Sequence, residues 1–332
     1  MTKTAGRAIV RLGYQMPDFN FGASVDKLFP TVIAQAQEAE RAGFDTAFLT
    51  DHFYQRFGPP HGPTLEAYTA LAGIAATTER IQLSTLVTGN TYRNPALLAK
   101  IVTTLDVVSQ GRAMLGIGAG WFELEHKSYG YEFGSFTERF EKLDEALQII
   151  TPMLRGERPT FEGKWYRVAN AINEPRVRDD LPIMLGGAGE KKTFALAARY
   201  ADHLSIGCDA VELPGKLEAL RQRCDEAGRD RSTLDVSYLA FVAMDESSER
   251  AHRAVDEMFA RRVGDPAKVD RVRAGMAGRL FIGSPDEVAG QLQEQVLDLG
   301  VDGLVINMVA NGHQPGVVEL AGKTLGPLVT TV

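Results

Sequence analysis

The chain has 332 residues, 44% hydrophobic and 24% charged, with a net charge of −7. That is ordinary for a globular protein and long enough for one large α/β barrel or two smaller domains. The acidic balance argues against nonspecific nucleic-acid or anionic-membrane binding, and no apolar run approaches a membrane span.

Two cysteines, Cys208 and Cys224, leave no disulfide framework and fit a reducing compartment. The polar stretch 1–7 lacks the apolar core of a signal peptide, so a cytoplasmic location is expected by default. No HExxH and no clustered Cys/His spacing occurs, so no metal is expected.

In chain order, residues 9–15 read as a first strand and 25–42 as a helix closed by Gly43. A strand over 45–50 ends at Asp51-His52, and a helix over 65–77 leads to a strand over 81–88. Asn94-Pro95 caps the next helix, the Asn as N-cap acceptor and the Pro with its φ preset. Leu98, Val102, Leu105 and Val108 are its expected buried stripe. The apolar run 113–117 then meets glycines at 116, 118 and 120, followed by Trp121, Glu123, Glu125 and His126.

Ser135-x-x-Glu138 is a capping box opening a long helix. Its apolar face is Phe136, Phe140, Leu143, Leu147 and Ile150, and Gly156 ends it. Residues 161–166 read as a small hairpin. A strand over 182–185 runs into Gly186-Gly187-Ala188-Gly189, then a helix to Tyr200 and a strand over 203–206. A strand over 234–242, two helical stretches over 246–276, a second capping box at Ser284-x-x-Glu287 and a last strand over 303–308 complete the chain.

Eight strands, nearly all followed by helices, predict an α/β fold. Right-handed crossovers close such a pattern into a (β/α)8 TIM barrel, a single domain over 1–332. A doubly wound open sheet is the alternative, but no composition break marks a second domain. The segment 121–180 exceeds one β/α unit and reads as an insertion at the C-terminal face, over the active site.

Glycines at strand ends allow close approach of a flat cofactor, because no Cβ intervenes. Gly116-x-Gly118-x-Gly120 is not a dinucleotide fingerprint, since Trp121 stands where GxGxxG needs glycine. The turn 186–189 before a helix, with Lys191 or Lys192, is a candidate anion site; a plain turn is the alternative. Arg93, beside Asn90, either reaches an anion or pairs with a carboxylate. Asp51 beside His52 reads from composition alone as a helix cap next to a surface His. Glu123, Glu125 and His126 either supply an acid or begin a helix facing solvent.

Four ordered segments resemble the bacterial luciferase-like superfamily of flavin and deazaflavin oxidoreductases, closest to the branch using the deazaflavin coenzyme F-420. They are AGFDTAFLTDHF (42–53), STLVTGNTYRNPALLAK (84–100), GRAMLGIGAGWFELEHKSYGYEF (111–133) with ERFEKLDEALQII (138–150), and LPIMLGGAGEKK (181–192).

The resemblance implies an oxidoreductase passing a hydride between F-420 and a small organic substrate. The alternative is a monooxygenase that uses reduced FMN from a partner reductase. It implies His52 as the proton-handling residue under the reactive ring, with Asp51 fixing its tautomer, bonding the ring or serving the fold. A non-prolyl cis peptide is implied in the third strand, at Thr85–Leu86 by preference and Leu86–Val87 as the alternative.

Gly118, Ala119 and Gly120 would offer backbone to the cofactor, and Gly186, Gly187 and Lys191 its phosphate site. Phe53 and Trp121 would wall the substrate space. Sugar-phosphate dehydrogenases of the superfamily carry an acidic Glu where this chain has Trp121, which speaks against glucose 6-phosphate as substrate. A homodimer is implied by the resemblance alone.

Overall fold

The chain runs from β1 (Leu12–Gln15) through α1 (Val25–Arg41), β2 (Thr46–Leu49) and α2 (Ala67–Ala75) to β3 (Gln82–Thr85) and β4 (Thr88–Gly89). Helix α3 (Pro95–Val108), strand β5 (Leu115–Gly118) and helices α4 (Glu123–Tyr129) and α5 (Phe136–Leu154) follow. A hairpin of β6 (Phe161–Glu162) and β7 (Arg167–Val168) precedes β8 (Ile183–Gly186), α6 (Thr193–Tyr200), β9 (His203–Ile206) and α7 (Leu213–Glu226). The last third holds β10 (Asp235–Met244), α8 (Ser248–Val263), α9 (Pro266–Ala274), β11 (Leu280–Gly283), α10 (Pro285–Gln295), β12 (Gly303–Asn307) and α11 (Val317–Thr330). This computed structural model describes residues 9–17, 19, 21–55, 62–263 and 266–330; the stretch 1–7 and His61 lie outside them.

The strands form one parallel sheet in the order β3-β2-β1-β12-β10-β9-β8-β5-β4. Leu83 bridges Ala113 in parallel, so the two ends of that path meet and the sheet closes. This is the expected barrel, with β4 continuing the third strand past a bulge. The cis peptide in that bulge is Leu86–Val87, so the preferred placement at Thr85–Leu86 is corrected by one residue. Strand β11, which pairs with the outer half of β10, was not expected.

Two apolar layers hold the barrel. Inside it, Val10, Phe48, Leu86, Met114, Met184 and Val305 fill the axis. Outside it, the strands' other faces pack on the helices in one continuous core. Both capping boxes form, and the Asn94 side chain accepts from Ala96 and Leu97.

Two stripe residues depart from expectation. Val108 is exposed, because at about 100° per residue it has turned roughly 80° away from Leu98. Phe136 is exposed at the first turn of α5, where Lys192 Nζ lies 5.2 Å from its ring centroid.

The segment 121–180 is not one cover. Helix α5 packs on α3 as an ordinary barrel helix. The hairpin braces α5, whose Glu145 accepts the amides of Lys164, Trp165 and Tyr166. Only the start of the segment reaches the barrel mouth. The rest of the cover comes from α9 and the turn after it.

Candidate active site

The bulge explains most of the glycines. A Cβ on Gly116 would lie 1.9 Å from the Thr85 carbonyl oxygen, so the approach of β3 to β5 permits no side chain there. A Cβ on Gly118 or Gly186 would come within 2.9 or 2.6 Å of the Val87 side chain, which the bulge turns inward. Gly116 and Gly118 are therefore explained by strand packing, a constraint that mimics a cofactor motif in sequence.

Thr85 is fully buried; its hydroxyl donates to the Gly116 carbonyl and bonds the Thr88 hydroxyl, 2.7 Å away. From the opposite wall, Gln15 Nε2 donates to the Leu86 carbonyl (2.9 Å), and Asn307 Nδ2 donates to Gln15 Oε1 (2.8 Å). Three strands thus clamp the bulge.

A cavity of about 560 Å³ opens at the C-terminal ends of the strands, where barrel enzymes place their chemistry. It brings together Asp51, His52, Leu86, Gly120, Trp121, Gly186 and Gly187 from the sequence reading. Thr85, Phe53, Gly118, Ala119 and Lys191 are not on its wall. Phe53 turns away, packing on Tyr92, Tyr129 and Tyr131. Lys191 is exposed outside the mouth, and Lys192 bonds the Thr137 hydroxyl at 3.2 Å.

Asp51 does not hold His52. Its carboxylate is 2% exposed and pairs with both Arg93 nitrogens, at 2.7 and 2.9 Å, while also accepting the Gly89 amide at 3.1 Å. Arg93 in turn reaches Glu66 at 2.7 Å. Burial opposes the charge on Arg93, but the hydrogen bond and attraction of Asp51 outweigh it and raise its pKa. Of the two readings for Arg93, carboxylate pairing is the one realised. The pair fixes the loop after β4 to the end of β2.

His52 is held by Glu125. Its Nδ1 lies 2.9 Å from Glu125 Oε2, which also accepts the Tyr92 hydroxyl at 2.5 Å. Oε1 accepts the amides of Phe53 (2.6 Å) and Tyr54 (3.0 Å). Glu125 is completely buried. Burial disfavours its charge, yet the donors from His52, Tyr92 and Tyr54 outweigh this and hold its pKa below the ordinary 4.5. Burial, and then the neighbouring Glu125, push the Tyr92 hydroxyl far above its usual range.

An ionised carboxylate only accepts, so the ring donates to Glu125 through Nδ1–H, which leaves Nε2 as the acceptor of a neutral imidazole. Trp121 and Phe122 pack edge-on against the ring at 5.6 and 5.7 Å.

The neighbours of Glu125 do other work. Glu123 is exposed and pairs with Lys127. His126 is buried between the Phe122 carbonyl and the Thr91 hydroxyl, and burial lowers its pKa. Besides Val87, residues the sequence did not single out line the rest of the cavity, among them the polar Gln15, Thr88, Tyr92, Ser205 and Arg279 and the apolar Leu239, Phe241, Val272 and Met276.

Fold and site together define a barrel protein whose strand-end glycines, bulge and Glu125-held His52 line one cavity. The chain belongs to the luciferase-like monooxygenase family, whose model matches residues 10–303. It is similar to the F420-dependent glucose-6-phosphate dehydrogenase of Nakamurella multipartita, 32% identical over 330 residues covering 93% of this chain and 95% of the relative.

Among solved structures it is similar to the coenzyme F420-dependent tetrahydromethanopterin reductase of Methanopyrus kandleri. The TM-score there is 0.75 at 21% identity, covering 97% of this chain and 100% of that one. An F420-dependent secondary alcohol dehydrogenase gives 0.78 at 21% identity, covering 96% and 99%. The structural likenesses support the barrel fold.

Proposed function

We propose that this protein is an oxidoreductase that moves a hydride between the deazaflavin coenzyme F-420 and a small organic substrate. The observation that carries it is the Glu125–His52 pair at the edge of a glycine-rich strand-end cavity. The nearly full-length similarity to F420-dependent dehydrogenases supports it.

The residues present fit such a coenzyme. Leu86 and Val87 offer an apolar shelf, Gly120, Gly186 and Gly187 place no side chain over the cavity, and Ser205 Oγ is buried on its wall without a partner. The turn 186–189 ahead of α6, with exposed Lys191 beside it, is our assignment for the phosphate. When bound, the coenzyme would supply the hydride-exchanging carbon.

The protein's own part is proton handling and orientation. His52 Nε2 accepts the proton of a substrate hydroxyl in the oxidative direction and returns it in the reductive one. Glu125 fixes the tautomer and stabilises the imidazolium that forms. Trp121 stands edge-on to the His52 ring, 5.6 Å between centroids, and borders the space where this proton moves.

We further propose a cytoplasmic homodimer. The exposed Leu97, Val107 and Val108 of α3 offer an apolar outer face, and both cysteines are free and buried. Among the described residues no helix is long and apolar enough to cross a membrane.

Parallel titration with F-420 and FMN, followed by intrinsic tryptophan fluorescence, tests the reading. Tight F-420 and weak FMN binding is expected. The reverse would make this a reduced-flavin monooxygenase served by a partner reductase.

A further inference from the structure

Four donors converge on the buried carboxylate that holds His52. The Phe53 and Tyr54 amides share Glu125 Oε1, while the Tyr92 hydroxyl and His52 Nδ1 share Oε2 at 2.5 and 2.9 Å. A carboxylate offers about four lone-pair sites, so Glu125 is fully subscribed. Among the described residues, Tyr92 is the only side chain besides His52 that donates to it.

The Tyr92 ring is 8% exposed and borders the cavity. It packs on Phe53, His126 and Tyr131 at 4.9, 4.9 and 5.2 Å between centroids. A Cβ on Gly89 would lie 2.7 Å from it, so the end of β4 leaves room for this ring by carrying glycine. A phenylalanine would meet the same packing; what the hydroxyl adds is the bond to Glu125.

We propose that Tyr92 is a positioning residue for the proton step: by dividing Glu125 Oε2 with His52, its hydroxyl sets how tightly the imidazole holds its second proton. The inference rests on the proton-handling role read for His52 in hydride transfer and names what regulates it.

An imidazolium is held by the negative charge that its partner oxygen presents. A hydrogen bond donated to a carboxylate stabilises that charge and is stronger than a neutral one. Charge that Oε2 commits to the phenol is less available to Nδ1–H. Without the phenol, Glu125 would grip the imidazolium more tightly; with a more acidic phenol, less tightly. Tyr92 itself stays protonated, because burial and then Glu125 push its hydroxyl far above its usual range.

The other titratable and charged groups around this trio are engaged elsewhere. Asp51, after β2, pairs with Arg93 from the loop after β4, and Arg93 also reaches Glu66 ahead of α2. On α4, Glu123 pairs with Lys127, and the His126 nitrogens are committed to the Phe122 carbonyl and the Thr91 hydroxyl. From α5, Arg139 donates to the Gly120 and Gly134 carbonyls. The rings of Tyr129 and Tyr131 pack on Phe53, and that of Tyr54 on Tyr129. Elsewhere on the cavity wall, Arg279 faces Asp209.

The test is an NMR titration of the full chain carrying isotope-labelled histidine, with and without F-420. The His52 signal, one of six histidines, is assigned by its loss in His52→Gln. Tyr92→Phe should raise the His52 midpoint by about 0.5–1 pH unit, a roughly three- to tenfold tighter hold on the proton. Tyr92→3-fluorotyrosine, nearly the same size and a stronger donor, should lower it. The acid limb of kcat/KM should move in the same direction as the midpoint in each variant. A role confined to packing would not move the two variants in opposite directions.

Midpoints that stay put in both variants, or move the same way in both, would overturn the proposal. Should Tyr92→Phe not fold, the fluorotyrosine variant decides alone, and a midpoint no lower than the parent's overturns it. Opposite shifts in a protein that binds no F-420 would uphold the role of Tyr92 in the Glu125–His52 pair and overturn the hydride-transfer reading instead.

Discussion

Glu125→Gln is the sharpest probe of how the site handles its proton. The substitution keeps the side chain's size, and the amide oxygen can still accept from the Phe53 and Tyr54 amides, now at 2.6 and 3.0 Å. The NH2 group then takes the place of Oε2, facing His52 Nδ1 and the Tyr92 hydroxyl. An NH2 can only donate to Nδ1, so the imidazole proton is driven to Nε2 and the Nε2 lone pair is lost.

Removing a positioned general base typically costs 10²- to 10⁴-fold, or about 3 to 5 kcal/mol of barrier. We expect kcat to fall by about that range while coenzyme affinity stays within about threefold, since Glu125 touches His52 and not the glycine turns. His52→Ala should lose a similar amount, and the double variant little more than either alone, because the two residues act as one unit. The assay is steady-state turnover by coenzyme absorbance, with affinity from fluorescence and folding from circular dichroism. A folded Glu125→Gln protein turning over within threefold of the parent, or losses that add in the double variant, would refute the argument.

Gly116→Ala should destabilise the barrel by at least about 1–3 kcal/mol, because its Cβ would sit 1.9 Å from the Thr85 oxygen and backbone must move. Gly290→Ala, in a helix with open space around it, should be neutral or stabilising by up to about 1 kcal/mol; equal melting temperatures for the two variants would contradict this. Arg93→Met should cost about 3–5 kcal/mol by stranding the Asp51 carboxylate, with Asp51→Asn restoring part of it; an unchanged urea midpoint would refute the pairing. Glu125, Glu66 and Glu40 all have pKa values below the ordinary 4.5 in the fold. Their contribution is therefore complete above that value and lost as pH falls through their folded pKa values. Urea midpoints should drop below pH 4.5, and less steeply in Glu125→Gln; identical pH profiles would remove Glu125 from the account.

The barrel was legible in the sequence because its signals are local. Apolar runs, cap residues and glycine stops repeat at β/α spacing, and one right-handed closure accommodates them. Strand β11 was not, since Leu280–Gly283 is a four-residue run after two helical stretches and its partner, the end of β10, lies far away in sequence. The cover over the cavity was missed for the same reason: Val272, Met276 and Arg279 reach the mouth only because β11 docks on β10.

Glu125 shows how close local reasoning comes to the site and where it stops. Residues two apart on a helix point about 200° apart, so of Glu123 and Glu125 one must face inward if α4 lies against the barrel. Periodicity separates the two residues but does not say which is inside. What decides it is the pair of backbone amides after His52, at Phe53 and Tyr54, which need an acceptor where the chain leaves β2. Glu125 fills that need, and in doing so leaves a carboxylate oxygen for His52 Nδ1. Asp51, the nearer carboxylate in sequence, is already committed to Arg93. The tautomer of His52 is thus set by a residue 73 positions away, through a hydrogen-bond demand that exists only once β2 and β5 are neighbours of the same strand.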